Sequence, residues 1–186
     1  MSSPRIRLRL YTYYYSNDDW KLTVCSDGES IKALWFTQDG PYAENQLPDD
    51  ALITGGEKLP VFSLVSDWLD TYFDGEVPDP YALPLAPDGS RFRQDVWNVV
   101  RSIRYGHYLS YKEVADEVAQ IEGKRMMAAQ AVGGAMGHNP ISILIPCHRV
   151  VGAGSWIGGY GGNTQRKINL LRLEGADLSR FDISSV

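Results

Sequence analysis

Between Phe73 and Ser90 the chain reads FDGEVPDPYALPLAPDGS, and this run holds four of its ten prolines. Proline lacks a backbone N–H and clashes with the preceding helical turn, so no helix continues through such a segment. The run therefore divides the 186 residues into two parts that must be read separately. We read residues 1–84 as a small domain, residues 91–186 as a second, and a linker within about 75–90.

The first part has the pattern of strands. RIRLRLYTYYYS, from Arg5, alternates polar and apolar residues with period two and predicts a strand. WKLTVCSDGESIKALWFTQDG, from Trp20, holds two β-rich runs around Ser26-Asp27-Gly28, which predicts a hairpin. VFSLVSDWLDTYF, from Val61, places Phe62, Val65, Trp68, Leu69 and Phe73 near helical spacing and predicts an amphipathic helix.

The second part is mainly helical. RFRQDVWNVVRSI puts Phe92, Val96, Val99, Val100 and Ile103 on one helix face. Ser110 and Glu113 form S-x-x-E, a capping box that starts a helix at Tyr111. After a break at Glu122-Gly123, KRMMAAQAVGGAM predicts a second helix, thin because of Ala128, Ala129, Ala131, Gly133, Gly134 and Ala135. The pair suggests a helix-turn-helix, although a helical hairpin within a core has the same pattern. Each helical glycine costs roughly 1 kcal/mol against alanine. That cost makes sense where the backbone must approach another helix or a nucleic-acid groove. ISILI, from Ile141, predicts a buried strand by its length and branching. GGNTQRKINLLRLEG predicts a last helix, with Asn163 near its start and Gly175 just past its end.

Hydrophobic residues make up 44% and charged residues 22%, the balance of a soluble globular protein. No apolar run approaches the length of a membrane span, and the N-terminus has no signal-peptide core. Cys25 and Cys147 are too few for a disulfide framework, so we expect a cytoplasmic protein with free thiols and no membrane partner. The net charge is −5, unevenly spread. Residues 1–90 carry 6 Lys/Arg against 15 Asp/Glu, whereas residues 91–186 carry 12 against 8. A basic half can bind an anionic partner, and acidic residues elsewhere can simply solvate the fold.

The chemistry concentrates at ISILIPCHRVVG. Pro146 stiffens the backbone before Cys147, and His148 and Arg149 follow. A free cysteine is commonly a small buried hydrophobe. A base and a cation beside it also fit a nucleophile, since the thiolate is the reactive form and positive charge favours it. Such a base needs a third residue to orient it. Glu174 is a candidate, because the end of a helix disfavours negative charge unless a partner compensates, though an exposed helix-end glutamate is the commoner case. His107, His138 and His148 are the only histidines and no C-x-x-C occurs, so neither a metal site nor a cofactor is expected, and Cys25 reads as core.

AVGGAMGHNPISILIPCHRVVG resembles the active-site segment of the O6-alkylguanine-DNA alkyltransferases, in which the P-C-H-R-V run carries the acceptor cysteine. The similarity extends over about 91–177, through SYKEVA, GYGGNTQRK and LLRLEG, and more weakly into TYYYSNDDWKLTV and IKALWF. It implies an α+β fold: a small N-terminal antiparallel-sheet domain, RNase H-like, followed by a mainly helical domain with a helix-turn-helix. It implies direct reversal of O6-alkylguanine in double-stranded DNA, entered from the minor groove, with the damaged base flipped into a pocket. The alkyl group would pass irreversibly to Cys147, once per molecule, and the protein would act as a monomer.

Residue by residue, the resemblance places Asn139, His148 and Glu174 in the hydrogen-bonded site, with His148 a water-mediated base oriented by Glu174. Tyr111 matches the tyrosine beside the target phosphate. Ala128, Gln130 and Gly133 fall on the DNA-reading helix. Met136, Tyr160, Gly161 and Gly162 match the base pocket, and the carbonyls of Cys147 and Val150 match acceptors for the base's amino group. Gln130 stands where the family often has an arginine that fills the space of the flipped base. Some members bind zinc in the first domain, but the histidines for it are missing here. Two other functions compete. A lesion-binding module of this kind would have replaced the cysteine, which is present. A Cys–His hydrolase would need a separately placed base.

Overall fold

The structure is a computed structural model that describes residues 9–39, 52–55, 58–161 and 163–183. The chain divides into two compact units. One comprises Met1–Thr71, Tyr81–Asp88 and Pro140–Ser142; the other comprises Tyr72–Pro80, Gly89–Asn139 and Ile143–Val186.

The first unit is built on a four-stranded sheet in the order β3-β2-β1-β4, from β1 (Arg9–Ser16), β2 (Lys21–Ser26), β3 (Ile31–Phe36) and β4 (Leu52–Gly55). The first three pair antiparallel through tight connections, and β4 joins β1 in parallel at the edge. The part of the expected first strand before Arg9 lies outside the described residues. The turn after Ser26 closes as expected, with Asp27 Oδ1 accepting from the backbone of Glu29 and Ser30. Cys25 is fully buried beside Leu10, Ala33 and Trp35.

Helix α1 (Pro60–Phe73) packs on this sheet, with the Phe62 ring stacked on Tyr13 and Asp70 accepting from the Tyr15 hydroxyl. Its buried face includes Phe62, Val65, Trp68, Leu69 and Tyr72. Phe73, expected on that face, is only half-buried, and Tyr72 takes the fully buried position. The free edge of β3 is covered by two remote segments. Ile31 exchanges backbone hydrogen bonds with Pro84 and Ala86, and Leu34 with Pro140 and Ser142.

The second unit is helical, as expected. It contains α2 (Arg91–Ser102), α3 (Tyr111–Ile121), α4 (Ala129–Met136) and α5 (Thr164–Leu173), with a minimal parallel pair of β5 (Leu109–Ser110) and β6 (Val150–Val151). The capping box is present: Ser110 Oγ accepts from Glu113 N, and the Glu113 carboxylate accepts from Ser110 N. Helix α3 ends at Gly123, at φ +66°, where Lys124 N donates back to Ala119 O.

The thin helix is shorter than expected. Lys124–Ala128 stay outside it, because the helix-ending turn at Gly123 spends several residues before α4 starts. Trp97 Nε1 donates to Ala135 O and ties α2 to α4. Ile168 and Leu171 of α5 pack with Val151, Ile157 and Phe181. Full burial of side chains of this size stabilises by about 1.5–3 kcal/mol each. Among the described residues, no helix is long and apolar enough to cross a membrane.

ISILI is not a strand. Ile141 makes one isolated bridge to Leu34, and the chain then turns through Ser142–Leu144. Ile143 adopts φ +67°, which is uncommon for a β-branched residue. Its buried side chain and buried neighbours Leu144 and Ile145 hold it there. A short apolar run between prolines carries no periodicity to separate strand from turn.

Candidate active site

Cys147 opens a 3₁₀ turn, Cys147–Arg149, in place of the expected strand end. The turn aims its three side chains differently. Cys147 is 8% exposed, and its sulfur accepts from Asn139 Nδ2 at 2.7 Å. Asn139 Nδ2 also donates to Ile145 O at 2.9 Å, so the amide is pinned to the backbone that leads into the cysteine.

His148 is fully buried and directs Nε2 to Glu174 Oε1 at 2.6 Å. A carboxylate can only accept, so Nε2 carries the proton and Nδ1 keeps its lone pair. That Nδ1 is buried without a hydrogen-bond partner among the described residues. Arg149 was expected to act on the thiol. It instead grips Glu174, through Nε to Oε2 at 2.9 Å and Nη2 to Oε1 at 3.0 Å, while Nη1 donates to Ile103 O.

Glu174 is thus no exposed helix end. It caps α5 and is 5% exposed. Beyond His148 and Arg149 it accepts from the Tyr72 hydroxyl at 2.7 Å and from Gly106 N at 3.2 Å. A Cβ on Gly106 would come within 2.7 Å of Glu174 O, so the backbones meet where only glycine fits.

Electrostatics assign states to these groups. Burial opposes the Glu174 charge, but His148 and Arg149 outweigh it and draw the carboxyl down to about 2. Burial also holds the imidazole below its ordinary value; Arg149 and Lys167 push the same way, against Glu174. His148 is therefore neutral and available as a base. Burial pushes the Cys147 thiol up to about 12, against the Asn139 hydrogen bond and the Lys167 ammonium.

Lys167 is the cation that faces the thiol. It is fully buried on α5, donates to Val150 O at 2.6 Å and Gly159 O at 3.4 Å, and is itself lowered to about 8, by burial. It lies within the GYGGNTQRK stretch, three and four positions before Leu170 and Leu171 and seven before Glu174, so helical spacing puts it on the buried face. Tyr72, Gly106 and Lys167 are the positions the sequence left without a role.

The remaining expected residues fall in two places. Near the cysteine, the Tyr160 ring stands edge-on to His148 at 6.2 Å. Val150 O is engaged by Lys167, and Cys147 O accepts from Val150 N. Tyr111 is raised by burial first and by Cys147 second. Its ring lies between Gly133 of α4 and Gly158.

Tyr111, Gln130 and Gly133 also line one groove of about 1050 Å³. Ala128, exposed at the start of α4, half-buried Met136 and exposed Gly161 are not among its lining. Gly162 lies outside the described residues. Among the described residues, no group of three or more His, Cys, Asp or Glu is placed to hold a metal.

A thiol held by an amide, followed in the chain by an imidazole whose Nε2 is locked to a buried carboxylate, is the layout of a protein that uses cysteine as its nucleophile. Comparison with known proteins narrows that class. Residues 10–87 match the family described as 6-O-methylguanine DNA methyltransferase, ribonuclease-like domain, and residues 91–176 match its DNA binding domain. A methylated-DNA–protein-cysteine methyltransferase of Haemophilus influenzae is 39% identical over 165 residues, 89% of this chain and 86% of the relative. One of Mycobacterium bovis is 45% identical over 125 residues, 65% and 72% of the two chains.

The crystal structure of the Mycobacterium tuberculosis O6-methylguanine methyltransferase superposes with a TM-score of 0.71 at 34% identity, covering 95% of this chain and 97% of that one. A structure of the same organism's protein in complex with DNA gives 0.70 at 35%, covering 94% and 96%. The chain belongs to the methylated-DNA–protein-cysteine methyltransferase family.

Proposed function

We propose that this protein repairs O6-alkylguanine in double-stranded DNA by direct reversal, with Cys147 as the irreversible acceptor. The observation that carries the reading is the buried His148 Nδ1, left as a lone pair by the Nε2–Glu174 bond on the residue that directly follows Cys147. In the step, the Cys147 proton passes toward Nδ1. The sulfur forms a bond to the alkyl carbon as the carbon–O6 bond breaks, and the released pair remains on guanine, which takes up a proton. Asn139 holds the sulfur, and Glu174 keeps the imidazole in the right tautomer. The cysteine thiolate is a poor leaving group from the resulting thioether, so each molecule acts once, and the step as written draws on no cofactor.

In this reading the damaged base is flipped out of the stack. Residues 91–186 bind the minor groove, with Tyr111, Ala128, Gln130 and Gly133 toward DNA. Met136, Val150, Tyr160, Gly161 and Gly162 receive the base, and residues 1–84 form the separate sheet domain. The basic balance of the second half and the slender α4 support this assignment. A cytoplasmic monomer fits the same use. Intact-mass analysis after incubation with a duplex carrying O6-methylguanine tests it. One added methyl on the Cys147 peptide is expected. Turnover without modification, or modification at Cys25, would sink the proposal.

A further inference from the structure

The groove beside α4 has a second wall. Leaving β6, the chain turns through Gly152, Ala153 and Gly154 to Trp156, and all four line the same space as Gln130 and Tyr111. Trp156 is 62% exposed, whereas Trp35, Trp68 and Trp97 are buried and Trp20 is half-buried. A single exposed apolar side chain is ordinary on a protein surface. The packing beneath this one is not. A Cβ at Gly152 would fall 2.1 Å from Trp156 Cε3 and 2.7 Å from Cδ2, so residue 152 lacks a side chain where the indole lies on the backbone. Trp156 N donates to Ala153 O and closes the turn. One ring face is therefore fixed against the backbone and the exposed part is offered to the groove.

The groove's lining carries two cations and one carboxylate, that of Glu113, which is engaged by Ser110 N in the capping box. Arg180 lines the groove with its guanidinium over the rings of Tyr108 and Phe181, and Lys112 lines it while bridged to Asp116. An aromatic face with cations beside it is the combination that binds an unstacked stretch of nucleic-acid strand.

We infer that Trp156 is a stacking platform for the DNA strand that carries the lesion. It supplies an aromatic surface across the groove from Gln130, whose short amide can hydrogen-bond a base edge but offers little area to stack on. This rests on the proposed duplex repair. Extrusion of a nucleotide unstacks its neighbours, and a preset indole restores part of that lost contact. Gly152 keeps the platform in place.

The test uses the full chain with Cys147→Ser, so that binding is read without transfer, and a duplex with one O6-methylguanine. Trp156→Ala should weaken binding about tenfold, the scale of one lost base–aromatic stack, and Trp156→Phe should retain most of the affinity. Gly152→Ala, which displaces the ring without removing it, should lose affinity in the same direction. The slope of log affinity against log salt should stay at the parent's value, because stacking releases no counterions. Indole fluorescence should change on binding in the parent and not in Trp156→Ala.

The inference is overturned by Trp156→Ala binding as tightly as the parent, by a salt slope that falls by about one as for a lost phosphate contact, or by Trp156→Phe losing as much as alanine. If the alanine variant does not fold, the phenylalanine and Gly152→Ala variants decide the matter in the same way. A parent that binds no duplex removes the proposed function as well; a parent that binds alongside an unaffected Trp156→Ala removes this inference alone.

Discussion

Glu174 accepts from four residues, Tyr72, Gly106, His148 and Arg149, and all of its donors would confront an amide if it became glutamine. Removing one partner of a buried pair costs about 3–5 kcal/mol, because the remaining charge is stranded. Here Arg149 would be stranded and His148 would lose the bond that sets its tautomer. Glu174→Gln should slow alkyl transfer at least about a hundredfold, the usual scale for general-base function, while duplex affinity changes much less. Single-turnover transfer and equilibrium binding measured side by side check this; equal losses in both would assign Glu174 to structure only.

Lys167 allows a sharper pH argument. Its ammonium favours the Cys147 thiolate, and burial brings its own deprotonation down to about 8. Lys167→Met should therefore slow transfer about tenfold near pH 7, equivalent to one unit of thiol pKa. As pH rises through about 8 the parent loses the same charge, so the two rates should converge. A rate ratio constant across that range would count against a role through the thiol.

At the scale of elements, α4 sets stability against function. Gly134 lies in the middle of this helix, and a Cβ there would meet nothing within 4 Å. Gly134→Ala should stabilise the fold by about 0.5–1 kcal/mol through helix propensity. If α4 lies against DNA, the added methyl should weaken duplex binding at the same time. Denaturant melts and binding isotherms together separate the two effects, and a variant that gains stability with unchanged affinity would move α4 away from the DNA.

Which elements were legible follows from the range of the interactions that make them. The Ser110–Glu113 capping box is written in four consecutive residues, and the Cys147–His148 pair is adjacent, so both could be read directly. Tyr72 reaches Glu174 across 102 positions and Gly106 across 68, and no local pattern records such pairings. Helical spacing also put Phe73 on the buried face and passed over Tyr72, one position away. ISILI misled because burial alone makes a short run apolar, whether it extends or turns.

For the whole molecule, the charged cluster predicts sensitivity to acid. The folded carboxyl of Glu174 titrates near 2, below its ordinary 4.5, so its stabilising contribution is complete above 4.5 and disappears as pH falls through about 2. His148 is held neutral, below its ordinary 6.5, so the unfolded chain takes up that proton first and stability begins to fall below 6.5. Thermal melts should show a gradual decline below pH 6.5 that steepens below 4.5, at roughly 2–4 °C per kcal/mol for a chain of this size. Glu174→Gln should start lower and show a flatter profile.

The covered edge of β3 bears on how many copies a cell can hold. A protein consumed by each repair must be kept in numbers that match the damage. An open sheet edge would let those copies template one another into aggregates, more readily as their concentration rises. In this chain Pro84–Ala86 and Pro140–Ser142 occupy that edge by backbone hydrogen bonds, and proline has no N–H with which to extend the ladder further. The same prolines that interrupt the sequence thus close this edge to a second copy while each molecule waits for its one use.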